Sequence, residues 1–384
     1  MNIVPSTAGD LLTLTVAGRL GADTATELDK NWIVPGVARL TVDLGGCSFV
    51  SSAGLRVFIK LAREANNAAV AFALVNVQPS AYQVLEMTGL TQLMQIRRKA
   101  RQISIEGLEF LSAGVCGQCF RLDPETVVKL YNEGVAPEVA EQEKTFARAA
   151  LIAGIPTALS YDVVACGSRT GVIYEMLDAQ LFSRIIAAEP TAASQYGKQL
   201  AEIAQNIHSK VGDKAVFQDL KPRMRGYIEN LRGPLSDRDI AHLLARLECI
   251  PDAETLVHFD LHTSNIMIRD GEAVIIDMGD VSRGHYLFDV GVIAMIYAYP
   301  ESGNCEFVTK VPNAIGRQLY ESFLGAYFAG RPVKDFEFFI RNEAFLASLR
   351  LIAAIAFLPA AKDALLEKVR DFLLPRIYAE SRQQ

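Results

Sequence analysis

The chain has 384 residues, half of them hydrophobic and 21% charged, with a formal net charge of −6. That length suits two or three domains with large cores, and the composition is too apolar for a disordered chain and too acidic for broad nucleic-acid binding. The N-terminus MNIVPSTAGD has no basic stretch leading into an apolar core, so it does not read as a signal peptide, and six scattered cysteines suggest a reduced, cytoplasmic protein.

Residues 1–96 alternate short strand and helix patterns. LLTLTVAG (11–18) reads as a strand, ADTATELDKNW (22–32) as a helix and RLTVDLGG (39–46) as a second strand. SAGLRVFIKLAREANN (52–67) carries Leu55, Phe58, Ile59 and Ala62 along one helical stripe. AVAFALVNV (69–77) reads as a buried strand, PSAYQVLEMTGL (79–90) as a helix with Pro79 in its first turn, and LMQI (93–96) as a last strand. This alternation predicts a small α/β sheet with helices packed on it. At VSSAGLR (50–56) a strand ends and a helix begins, and local chemistry makes Ser51 or Ser52 the N-cap.

The stretch DLGGCSFVSSAGLRVF, with GRL at 18–20 and MTGL at 87–90, resembles the STAS domains of anti-sigma factor antagonists. The resemblance implies a module that docks a signalling partner, such as an anti-sigma factor. It also makes Ser52, at the position of the family's modified serine, a candidate for phosphorylation by a separate kinase. Ser51 and Gly21 stand where that family often has Asp. RRKARQ (97–102) is basic and poor in apolar residues, as a linker is. The expected boundaries are a STAS-like domain at 1–99, a linker at 100–107 and a second domain at 108–384.

The second region opens with ISIEGLEFLSAGVCGQCFRLDPETVVKLY (103–131), two strands about a turn at Asp123-Pro124-Glu125. The loop Gly114-Val115-Cys116-Gly117 is built of small residues, which let backbone amides approach a phosphate. Cys116 and Cys119 have redox or metal spacing but no second pair, so small residues in a tight loop are the expectation. Lys129 sits on the following strand; read alone it is an exposed lysine. PEVAEQEKTFARAALIAGIPTA (137–158) is a helix with a Gly154-Ile155-Pro156 stop, and Glu143, or else Glu141, is its candidate to pair Lys129. ALSYDVVACG and GVIYEMLDAQ are two further strands, and from residue 180 the chain is mostly helical. KQLAEIAQNIHSKV (198–211) is amphipathic, and its His208 reads as a helix-end or core histidine. AFLASLRLIAAIAFLPAA (344–361), interrupted by Arg350 and broken by Pro359, reads as a buried helix rather than a membrane span.

The densest chemistry lies in HFDLHTSNIMIRDGEAVIIDMGD (258–280). IMIRDGEAVIID alternates and turns at Asp270-Gly271, a hairpin that brings Asp260, Asn265 and Asp277 to one end. An acid to orient a hydroxyl, an amide oxygen and a second carboxylate for magnesium are the set that phosphoryl transfer from ATP needs. The order His-x-Asp-x-x-x-x-Asn, a strand pair, then Asp-x-Gly resembles the kinase catalytic loop, in the variant of the aminoglycoside phosphotransferase and choline kinase group. The resemblance implies an α+β bilobal kinase-like domain, with an N-lobe at about 108–177 and a C-lobe at about 178–384. It implies ATP and Mg2+ as ligands, Asp260 as catalytic acid/base, and Asn265 and Asp277 on the metal. Gly114, Gly117, Lys129 and Glu143 would serve the phosphates, with Ser112 in place of the loop's first glycine. Tyr174-Glu175-Met176-Leu177 would be the adenine hinge, with Glu175 and Leu177 as its binding positions. Asp289 would brace the catalytic loop. The acceptor is a hydroxyl, expected on a small molecule. Spacing does not place Asp335, Glu337 or Glu343, the C-terminal carboxylates that would line a pocket for a cationic acceptor.

Overall fold

The computed structural model describes residues 1–358 and 361–382, and the chain divides into two compact units, Met1–Ile103 and Ser104–Gln384. The first is an α/β unit. Strands Asn2–Ala8, Leu11–Leu20, Arg39–Val50, Ala71–Val77 and Gln95–Arg98 lie in that order in one sheet; the first pair is antiparallel and the rest are parallel. Side chains of a strand alternate between faces. Leu12, Leu14 and Val16, then Leu40, Val42 and Leu44, accordingly form one buried face, met by Phe58 and Leu61 of the Ser52–Asn67 helix and Leu85 of the Pro79–Met87 helix.

Three features of this unit depart from expectation. The first strand, Asn2–Ala8, is an exposed edge without alternation. The helix expected at 22–32 is only Ala25–Leu28. The indole Nε1 of Trp32 donates to Leu28 O at 2.9 Å, taking the carbonyl that the next helical amide would have used. Arg97 and Arg98, expected in the linker run, belong to the last strand.

The second unit begins with an antiparallel sheet in which Glu109–Ala113, Gly117–Arg121, Thr126–Tyr131, Arg169–Glu175 and Ser160–Cys166 are successive neighbours. Asp123 folds the Asp123-Pro124-Glu125 turn by accepting from Glu125 N at 2.9 Å and Thr126 Oγ1 at 2.7 Å. The Pro137–Ile152 helix packs on this sheet. The rest is a helical lobe with a large common core. Every residue of the Leu287–Tyr297 helix at its centre is buried. Into this lobe is set the hairpin Ile266–Arg269/Glu272–Ile275, with Asp270 (φ 52°) and Gly271 (φ 83°) both left-handed, as a two-residue primed turn requires. The 344–361 run forms the Glu343–Phe357 helix; Pro359 lies outside the described residues. Among the described residues, no helix is long and apolar enough to cross a membrane.

Candidate active site

The hairpin sets the frame. Asn265 directly precedes its first strand, and Ile276 N donates to Asn265 O at 3.0 Å, so Asn265 and Asp277 emerge together at the open end. Asp277 is held at φ 62°, a conformation that costs a non-glycine residue free energy and that clusters at functional sites. His258 joins the 258–265 loop to this end: its Nε2 is 3.1 Å from Ile276 O, and its Nδ1 accepts from Asp260 N at 3.3 Å.

The loop before the hairpin is fixed from beneath by Asp289, which is fully buried. Its carboxylate accepts from His258 N at 2.8 Å and Phe259 N at 2.6 Å, the latter residue again left-handed at φ 60°. His208, the last residue of its helix and buried, places Nε2 2.9 Å from the same carboxylate and Nδ1 2.7 Å from Tyr327 Oη. Thus Asp289 braces the backbone that presents Asp260.

Across the site, Lys129 Nζ lies 2.9 Å from both oxygens of Glu143 and 2.8 Å from Asp277 Oδ1. Glu143 is 2% exposed. Glu141, two residues earlier, is turned about 200° around the helix from it. Tyr131 and Tyr174 hydroxyls also donate to Glu143, the latter at 2.7 Å. Burial, then the Glu143 carboxylate, pushes both phenols above their usual range, so they remain donors. Burial alone would lower the Lys129 amine; Asp277 and Glu143 outweigh it and hold it well above its usual value. Burial would likewise raise Asp277, but Lys129 holds it below the usual carboxylate range.

Asp260 has a different cation. Its Oδ1 accepts from Arg350 Nε at 3.0 Å, and its Oδ2 from Asn265 Nδ2 at 3.2 Å. Burial would raise this carboxyl; Arg350, followed by His262, overrides it and keeps the group well below the usual range. Because the Asn265 amide nitrogen is spent on Asp260, its oxygen is the atom left for a cation. With the Asp277 carboxylate this gives two hard oxygen donors, the kind magnesium accepts alongside phosphate and water. Among the described residues no cluster of three or more His, Cys, Asp or Glu forms a separate metal centre.

The two loop glycines differ in role. At Gly117 a Cβ would stand 2.2 Å from Leu130 O, so this glycine lets neighbouring strands close up. At Gly114 a Cβ would meet nothing within 4 Å. Asn132 secures the turn by donating to Val115 O at 2.8 Å, and Cys116 and Cys119 are free thiols. At the hinge, Glu175 N and Met176 N are taken by Leu159 O and Glu125 O, while Leu177 N meets no acceptor among the described residues. The Glu175 side chain also turns back on the chain, its Oε1 accepting from Leu159 N at 2.9 Å. Of the C-terminal carboxylates, Glu343 accepts from Tyr320 at 2.6 Å and Tyr299 at 3.2 Å, and Glu337 lies 3.6 Å from Arg341.

In the first unit, Ser51 is the N-cap, its hydroxyl accepting from Gly54 N at 3.3 Å. Ser52 is the first helical residue and is exposed.

Sequence reasoning passed over Arg350 and Asp280 as parts of the site, and over the two tyrosines as partners of Glu143. Each left a signal. Arg350 is a charge inside a long apolar run, and Tyr131 is two residues from Lys129, on the same face of its strand.

The family described as "Phosphotransferase enzyme family" matches residues 108–335, and the "STAS domain" family matches residues 4–103. A comparison with curated proteins found no significant match. Among solved structures, a thermostable mutant of aminoglycoside phosphotransferase APH(4)-Ia is similar at 16% identity and a TM-score of 0.47, over 69% of this chain and 98% of that one. A choline/ethanolamine kinase family protein from Mesorhizobium loti gives 17% and 0.44, over 72% and 92%. Plasmodium vivax ethanolamine kinase gives 14% and 0.49, over 72% and 84%.

Proposed function

Because the chain belongs to the phosphotransferase enzyme family through residues 108–335, and carries a STAS domain before them, we propose that it transfers the γ-phosphoryl group of ATP to a hydroxyl of a small molecule. The observation that carries this reading is the convergence of three cation–carboxylate pairs at one hairpin end: Lys129 with Glu143 and with Asp277, and Arg350 with Asp260. Lys129, held by Glu143, grips the phosphates. Adenine lies against the hinge, using the Glu175 carbonyl and the free Leu177 amide. Gly114 leaves room for the phosphates under the loop. Asp260, ionised, accepts a hydrogen bond from the acceptor hydroxyl and orients it toward phosphorus. Asn265 and Asp277 would hold magnesium, whose charge would offset that developing on the transferred phosphoryl group.

Calorimetric titration with ATP, with and without magnesium, tests the reading. Magnesium-dependent binding is expected, and Asp277→Ala should abolish the magnesium dependence. Absence of ATP binding under both conditions would remove the phosphotransferase assignment.

A second reading rests on Ser52. Its exposed hydroxyl opens the Ser52–Asn67 helix, where a phosphate would meet the positive end of the helix dipole. In this reading the STAS domain docks a signalling partner, phosphorylation of Ser52 by a separate kinase controls that docking, and the kinase-like domain senses nucleotide or modifies a protein. Mass spectrometry of protein from its native cells decides: Ser52 unmodified across growth and stress conditions would end it.

A further inference from the structure

In the chemistry just described, the guanidinium of Arg350 enters only through the Asp260 carboxylate that it holds. It sits in the middle of the Glu343–Phe357 helix, where every residue from Ala344 to Ile355 is buried, and is itself only 9% exposed. A charge is a costly way to fill such a position, since a well-packed apolar side chain often serves stability as well or better. Its contacts indicate what it does there. Nε donates to Asp260 Oδ1 at 3.0 Å, and Nη2 lies 3.1 Å from Asp280 Oδ2. Asp260 belongs to the loop that faces the acceptor. Asp280 ends the short turn Met278–Asp280 that follows Asp277. One rigid, planar fork therefore fastens both loops to the same helix, and a lysine could not reproduce its geometry. The rings of Phe259 and Phe357 flank the guanidinium at 5.6 and 5.1 Å. Arg223 backs the second loop, donating to Ser282 Oγ at 2.7 Å and lying 3.8 Å from Asp280. Asn265 takes the other oxygen of Asp260, so the carboxylate is held at both ends.

We propose that Arg350 is a positioning residue that sets the placement of the Asp260 carboxylate relative to the Asp277 turn, and so the alignment of the acceptor hydroxyl with the transferred phosphoryl group. The proposal rests on the phosphotransferase reading. Arg350 acts through the two aspartates and touches neither ATP nor acceptor.

The test uses the full chain and compares wild type with Arg350→Met, Arg350→Lys and Asp280→Asn. Magnesium-dependent ATP hydrolysis, with water as the acceptor, reports turnover, and calorimetry reports ATP affinity. Arg350→Met should lower kcat by about 10²-fold, the cost of misplacing a reacting group by about 1 Å. The Kd for ATP should change by no more than about threefold, because ATP is not touched. Arg350→Lys should recover part of the lost kcat, and Asp280→Asn should move kcat in the same direction as Arg350→Met, by less. Both aspartates are partly exposed, so water can replace the guanidinium, and methionine fills its volume. Should Arg350→Met fail to fold, Arg350→Lys carries the comparison through a kcat loss at unchanged Kd. A kcat within threefold of wild type, or a Kd for ATP that weakens in step with kcat, overturns the proposal. If wild-type hydrolysis is too slow to follow, crystal structures of wild type and Arg350→Met decide. A shift of Asp260 relative to Asp277 beyond about 0.5 Å supports it, and superposable carboxylates overturn it. Failure of the wild type to bind ATP is a different result, because it removes the phosphotransferase reading itself.

Discussion

Asp260 and Asp277 are both carboxylates, yet each answers to a different cation, and that division predicts separable losses. Asp277 is tied to Lys129, whereas Asp260 is tied to Arg350 and Asn265. Asp260→Asn should therefore leave ATP affinity within a few-fold of wild type while slowing transfer by about 10²-fold or more, the usual size of positioned acid–base help. Calorimetry with single-turnover kinetics would separate the two effects, and equal losses in both would contradict the assignment. His285 offers a pH test. Burial, then the neighbouring His208 and Arg331, lowers its pKa to about 4, and its Nδ1 accepts from Leu287 N at 3.4 Å. The neutral form is thus the one that the fold prefers. Between pH 6.5 and 4 the unfolded chain binds a proton that the folded chain refuses, so stability falls as pH drops through that window. In His285→Asn the melting temperature of the second unit should fall less steeply over the same window; parallel slopes would show that His285 is not the group responsible.

Elements with strong periodicity were readable from the sequence, and elements shaped by single contacts were not. The Ser52–Asn67 helix and the 266–275 hairpin stand where apolar spacing and the Asp-Gly turn put them. The short Ala25–Leu28 helix does not, because a tryptophan indole took one of its carbonyls, a contact without a pattern in sequence. The site divides in the same way. Lys129, Glu143, Asp260, Asn265 and Asp277 lie on elements whose order gave them away. Arg350 comes from a helix 90 residues after Asp260, so only folding brings it there. The Ser51-Ser52 pair was ambiguous because both hydroxyls precede or open the helix, and one hydrogen bond resolves it. Ser51→Ala should cost the first unit about 1 kcal/mol, the usual value of a lost N-cap. Ser52→Ala, at an exposed position, should stay within about 0.5 kcal/mol of wild type. Equal costs in chemical denaturation of the two variants would count against Ser51 as the cap.

At the scale of the whole molecule, two units with separate hydrophobic cores share one chain. About 100 residues with a one-sided α/β core are enough for independent folding. A fragment ending at Ile103 should show dispersed amide resonances and a cooperative melt, and the intact chain should unfold in two calorimetric transitions. A single transition, together with an unfolded fragment, would contradict this. Within the second unit, the Glu143 carboxylate has consequences for control. Protein kinases are commonly silenced by swinging out the helix that bears this glutamate. Here such a swing would surrender Lys129 and two tyrosine hydroxyls at once and strand a buried charge. Dismantling this lysine–glutamate pair is thus an expensive way to turn the unit off, because three partners of one buried carboxylate would have to be given up together.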